Sequence, residues 1–199
     1  MSRFQSVCVY CGSGMGEDAR YRESAFAMGS FLARNGLRLV YGGAHVGLMG
    51  TVADGALSNG GRVVGVIPRT LLEREIQHPG VTDLRVVESM HERKQCMVDL
   101  SDAFIALPGG FGTMDELFET LTWIQLGLHA KPVGLLNVAG FYDGLIGFVE
   151  QMARSGFVRP EHASVLRVDS DPARLLEQLE QFQAPAVGKW ITPPTLEAR

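Results

Sequence analysis

The sequence predicts an α/β fold: a doubly wound, mostly parallel sheet with helices on both faces, in a single domain. Three observations carry this. Short β-branched runs alternate with segments of helical period through most of the 199 residues. Three of those strand-like runs open into glycine-rich loops that lead into a helix. The composition, 46% hydrophobic and 20% charged, is that of an ordinary globular chain with enough length for a sizeable core.

Taken in order, Ser6–Tyr10 reads as a strand and Cys11–Glu17 as a glycine-rich loop. A helix over Ala19–Arg34 follows from Tyr21, Ala25, Met28 and Leu32 at 4-3-4 spacing, with Gly36 placed to end it. Leu37–Tyr41 is a second strand and Gly47–Ser58 a second helix. Val63–Ile67 is a third strand, stopped by Pro68, and an irregular stretch, Arg69–Val81, precedes a fourth at Leu84–Val87. Ser89-Met90-His91-Glu92 has the form of a capping box and opens a helix to about Leu100. Ala103–Leu107 is a strand, Pro108–Gly112 a loop and Thr113–Leu128 a helix with apolar residues at 3-4-3-4 spacing. Val133–Asn137, Tyr142–Ser155, Val165–Val168 and Pro172–Phe182 complete a domain spanning 1–182 as strand, helix, strand and helix. Residues 183–199, with three prolines, read as an irregular tail.

The net charge of −4 shows no basic excess, so the sequence does not read as a nucleic-acid binder. No run approaches the roughly 20 apolar residues of a membrane span, and the apolar run after the N-terminus is too short for a signal peptide. Three cysteines make an odd count, which argues for a reducing compartment and a cytoplasmic protein.

Glycine is the outlier in composition: 24 residues, about 12% against roughly 7% in average usage. Ten of them fall in or just after three loops: Cys11–Gly16, Gly42–Gly50 and Pro108–Thr113. Glycines let backbone N–H groups approach an anion with a helix N-terminus behind them, although any strand-to-helix turn needs some glycine. None of the loops fits G-x-G-x-x-G, and no G-x-x-x-x-G-K-[ST] occurs. A mononucleotide or sugar phosphate therefore fits better than a dinucleotide or a P-loop nucleotide. Gly109, Gly110, Gly112 and Thr113 are the candidate phosphate loop, with Gly12, Ser13, Gly42 and Gly43 as further loop candidates.

Two charged residues stand beside these loops. Glu116 lies three residues after Thr113, which from local pattern reads first as a capping box and otherwise as a carboxylate at the mouth of a phosphate loop. Arg93 occupies an apolar stripe position among Met90, Met97 and Leu100, so it either snorkels beside Lys94 or meets an anion. Together they suit cleavage of a glycosidic bond, the carboxylate stabilising an oxocarbenium-like centre or orienting water. Other motifs are weaker. Cys8-x-x-Cys11 spans a strand and its end, whereas a redox pair belongs at a helix N-terminus, and the five histidines show no metal-ligand spacing. No metal is expected.

Pro108-Gly109-Gly110-Phe111-Gly112-Thr113-Met114-Asp115-Glu116 resembles the PGGxGTxxE motif of the LONELY GUY (LOG) family, and Arg93-Lys94 is similar to its second signature. The resemblance extends through Tyr41-Gly42-Gly43, Gly47–Gly50, Ile67–Thr70 and Lys131–Asn137, covering roughly residues 5 to 160. It implies a Rossmann-like homodimer that hydrolyses cytokinin riboside 5′-monophosphates to free base and ribose 5-phosphate, without a cofactor. It further implies Arg93 and Glu116 as the catalytic pair. The implied substrate contacts are Glu75, Lys94, Gly110, Phe111, Gly112, Thr113, Met114, Asp115 and Thr122, with the catalytic pair among them. Asp115 stands where plant members often have Glu, and Ala44 replaces the third glycine of a common GGG.

Some members of this group are labelled lysine decarboxylases, but none of the three lysines, Lys94, Lys131 and Lys189, is a convincing Schiff-base residue. The expected activity is hydrolysis of the N-glycosidic bond of an adenosine 5′-monophosphate, preferably N6-modified. A non-catalytic nucleotide or phosphorylated-cofactor binder on the same fold is the alternative.

Overall fold

The computed structural model describes residues 2–73 and 76–185. Its centre is a seven-stranded sheet in the order β4-β3-β2-β1-β5-β6-β7, with every pairing parallel rather than mostly so. The strands are β1 (Ser6–Tyr10), β2 (Arg38–Tyr41), β3 (Val63–Pro68), β4 (Asp83–Val87), β5 (Ala103–Ala106), β6 (Val133–Leu136) and β7 (Leu166–Asp169). The main helices are α1 (Ala19–Arg34), α2 (Gly47–Leu57), α4 (Met90–Asp99), α5 (Phe111–Gln125), α6 (Asp143–Arg154) and α8 (Pro172–Glu180). Two single-turn helices, α3 (Arg69–Leu72) and α7 (Pro160–Ala163), fall between them.

Strand alternation sorts the core into two layers, because successive side chains leave opposite faces of the sheet. Val7 and Val9 of β1 pack with Met28 and Leu32 of α1, Val52 of α2 and Leu175 of α8. Cys8 and Tyr10 point the other way, to Met97 of α4, Leu117 and Ile124 of α5, and Tyr142 before α6. Both faces of the central strands are dry, which is why these runs read as continuously apolar.

Local signals set most boundaries. Asp18 caps α1 by accepting from the Arg20 N–H, and Gly36 takes the left-handed conformation just past its end. Ser89 caps α4 by accepting from the Glu92 N–H, while the Glu92 carboxylate accepts from the Glu88 N–H. Two expectations need correction. The Arg69–Val81 stretch is not wholly irregular, since it opens with α3 and returns as an antiparallel bridge between Gln77 and Ala44. Helix α5 begins at Phe111 with Gly110 as its N-cap, not at a Thr113 cap. Of the expected tail, residues 186–199 lie outside the described residues.

Strand order reverses between β1 and β5, whose exits are the Cys11–Gly16 and Pro108–Gly110 loops. In an open parallel sheet this switch point leaves a crevice at the carboxyl edge. The Gly12 N–H donates to the Pro108 carbonyl at 3.0 Å and ties the two loops together.

Candidate active site

A cavity of about 380 Å3 opens at that edge. It collects Gly12 and Ser13 after β1, Gly42 and Ala44 after β2, Arg93 of α4, and Gly110, Phe111, Gly112, Thr113 and Glu116 at the start of α5. Val46, Met49, Leu71 and Ile76 add apolar side chains to its lining. A neighbouring cavity of about 370 Å3 shares Gly12, Ser13 and Gly110 and adds Gly109, Tyr21 and Phe141. A larger one, about 570 Å3, lies at the opposite edge around Phe4 and Leu37, away from the three glycine loops' candidates.

Helix α5 offers the candidate anion-binding element. Its first turn carries N–H groups without intrahelical acceptors, and Gly110 offers no side chain to cap them. Phe111, Gly112 and Thr113 occupy that turn and line the cavity, so a phosphate there would meet backbone donors and the positive end of the helix dipole. A Cβ on Gly109 would overlap the Thr113 side chain, so Gly109 keeps the loop close to α5.

Glu116 is the sixth residue of α5, beyond the reach of the helix N-terminus, which removes the capping-box reading. It is 7% exposed and pairs with Arg93, Oε1 to Nη1 at 3.2 Å. Arg93 does not snorkel. Its Nε donates to the Val66 carbonyl at 3.1 Å and its Nη2 to the Gly42 carbonyl at 3.3 Å, so β3 and the loop after β2 aim it at Glu116. Burial pushes the Glu116 carboxyl up to about 7 against the downward pull of Arg93. A carboxylate poised there can change protonation near neutral pH.

Lys94 points elsewhere. Its ammonium sits 3.0 Å from both Asp115 and Glu119, clamping α4 to α5 outside the cavity wall. Burial opposes its charge, but the two carboxylates outweigh burial and hold its pKa above the ordinary value. Met114 and Asp115 lie on α5 without lining the cavity, and Gly43, behind Gly42, accepts from the His78 N–H. Thr122 is remote from the cavity and donates to the Phe118 carbonyl. Glu75 lies outside the described residues. Sequence reasoning missed Val46, Met49, Leu71 and Ile76, which share no periodic pattern that would have grouped them.

The weaker motifs separate in space. Cys8 and Cys11 belong to opposite core layers, and burial pushes both thiols up. Among the described residues, no group of three or more His, Cys, Asp or Glu could hold a metal ion, and no helix is long and apolar enough to cross a membrane. Lys131 donates its Nζ to the Val98 carbonyl, and Lys189 lies outside the described residues.

Comparison with known proteins agrees with this architecture. In solved structures, the fold is similar to the molybdenum cofactor binding protein from Rippkaea orientalis (TM-score 0.69, 24% identity, 90% of this chain and 97% of that one). It is equally similar to the molybdenum cofactor carrier protein of Chlamydomonas reinhardtii (TM-score 0.68, 24% identity, 90% and 98%). At that identity the likeness concerns fold alone. Sequence similarity is higher to a probable cytokinin riboside 5′-monophosphate phosphoribohydrolase, LOGL9, of Oryza sativa subsp. japonica: 48% identity over 91% of this chain and 80% of the relative. The cytokinin riboside 5′-monophosphate phosphoribohydrolase LOG1 of Arabidopsis thaliana is 43% identical over 91% of this chain and 85% of its own. Residues 49–179 match the family described as "Possible lysine decarboxylase". The chain belongs to that family, within which its close similarity is to the LONELY GUY proteins.

Proposed function

We propose that this protein hydrolyses the N-glycosidic bond of N6-modified adenosine 5′-monophosphates, releasing free base and ribose 5-phosphate and so activating cytokinin. The observation that carries this reading is the buried Arg93–Glu116 pair beside the uncapped first turn of α5, in one cavity. The phosphate sits on the N–H groups of Phe111, Gly112 and Thr113, which brings the anomeric carbon to Glu116. As the bond to the base breaks, positive charge grows on the ribose, and the Glu116 carboxylate stabilises it. Arg93 holds that carboxylate in place and presents its charge to the substrate. Water then adds its oxygen to the anomeric carbon, and its proton leaves with the base nitrogen.

The names of the sequence relatives support the same reaction. A homodimer in the cytoplasm completes the reading. Leu126, Leu128, Phe148 and Phe157, each more than half exposed on or beside α5 and α6, support self-association. The test is incubation with AMP and with N6-isopentenyl-AMP, assaying free base and ribose 5-phosphate. Nucleotide binding without either product would assign the protein to the non-catalytic binders.

A further inference from the structure

After β3 the chain runs through α3 and returns across the carboxyl edge as residues 76–82. Two backbone bonds, each 2.9 Å, clip this strap to the loop after β2: the His45 N–H to the Ile76 carbonyl and the His78 N–H to the Gly43 carbonyl. The His45 ring Nδ1 also lies 2.9 Å from the Ile76 carbonyl. A side-chain tie joins the strap to α2, His78 Nε2 standing 3.1 Å from Asp54 Oδ1. The Gly80 N–H donates to His78 Nδ1 at 3.1 Å, so Nδ1 accepts and the ring proton sits on Nε2, donated to Asp54. His78 is 8% exposed, and its ring is thus fixed on both nitrogens.

Leu71 of α3 and Ile76 of the strap line the cavity. With Val46 and Met49 they supply an apolar part of its lining. On the reading above, a nucleotide with its phosphate on α5 and its anomeric carbon at Glu116 sets its base against this apolar lining. We infer that His78 is a positioning residue: by tying the strap to α2 it fixes Ile76 in the apolar lining against which the base and its N6 substituent lie. The inference rests on the proposed hydrolase reading, and its test separates the two.

The experiment compares wild type, His78→Ala and His78→Gln in turnover of N6-isopentenyl-AMP and AMP. Equilibrium binding of N6-isopentenyladenine and of ribose 5-phosphate is measured alongside. In His78→Ala, the KM for N6-isopentenyl-AMP rises about tenfold while kcat stays within about twofold. Affinity for the free base weakens by a similar factor, and affinity for ribose 5-phosphate is unchanged. Gln can donate to Asp54 and accept from Gly80, so His78→Gln restores most of the loss. A lower Tm with unchanged KM, or equal weakening for ribose 5-phosphate, overturns the proposal. If wild type releases base from neither nucleotide, the hydrolase reading fails and the product-binding arm decides alone. Base affinity equal in wild type and His78→Ala, or undetectable in both, then overturns the role of His78.

Discussion

The Arg93 guanidinium occupies the space that a side chain on Gly42 would fill: Nη2 lies 3.3 Å from the Gly42 carbonyl, and a Cβ there would overlap it. Gly42 is therefore part of the charged site although it carries no functional group. Gly42→Ala must expel the far end of Arg93 and not the backbone, which makes its cost chemical more than structural. We expect turnover to fall by about 10²–10³-fold, with stability lowered by only about 1.5–3 kcal/mol for the lost charged hydrogen bonds. Steady-state assays and thermal melts of the variant check both numbers.

The raised Glu116 carboxyl makes stability depend on pH in a definite direction. The folded chain holds this proton up to about pH 7, whereas the ordinary value is 4.5. Between those limits the folded state binds more protons than the unfolded one, so stability falls as pH rises. The contribution is fully present below pH 4.5 and lost above about 7, of order about 3 kcal/mol. The Tm difference between wild type and Glu116→Gln, followed from pH 4 to 8, should move by several degrees against wild type. A flat difference contradicts it.

Catalysis runs opposite to stability, because the carboxylate form stabilises the ribose cation. We expect kcat to rise with pH and level off above about 7, and Glu116→Gln to lose about 10³-fold or more along with the limb itself. A kcat that declines through this range would make Glu116 a proton donor instead.

Lys94 gives a graded test of the same electrostatics. Its charge pulls the Glu116 carboxyl downward from outside the cavity, while its ion pairs clamp α4 to α5. Lys94→Met should shift the limb of kcat to higher pH and lower the Tm, leaving a measurable plateau rate. A plateau lowered as far as in Glu116→Gln would instead place Lys94 on the substrate.

Phe148 on α6 and Leu128 after α5 are 53% and 68% exposed, large apolar side chains left at the surface. Light scattering should give twice the 21.6 kDa of one chain, and Phe148→Asp should halve it. A monomer at micromolar concentration removes the dimer from the proposal.

The sheet was readable wherever local pattern and burial agree. The ends of β1 and α1 match the expected residues because β1 is apolar on both faces and α1 ends at a glycine. The start of α5 was misread because Thr113 and Glu116 imitate a capping box, whereas helix geometry begins at Phe111. The same shift resolves the ambiguity over Glu116, since its carboxylate has no helix end to cap. Arg93 was conspicuous as a charge in an apolar stripe, but its carbonyl partners on Val66 and Gly42 come from strands distant in the chain. The strap was opaque for the same reason: Ile76 and His78 are ordered by pairing with His45 and Gly43 and by Asp54, not by any period of their own.

Arg93 reaches Val66 across 27 positions of sequence and Gly42 across 51, and the shortest piece of chain that contains all of these partners and Glu116 runs from Gly42 to Glu116. A folding intermediate lacking β2, β3 or α5 would have an arginine missing one of the partners that aim it. Turnover would therefore report on the joint assembly of β2, β3, α4 and α5, and its loss in denaturant should coincide with global unfolding rather than precede it.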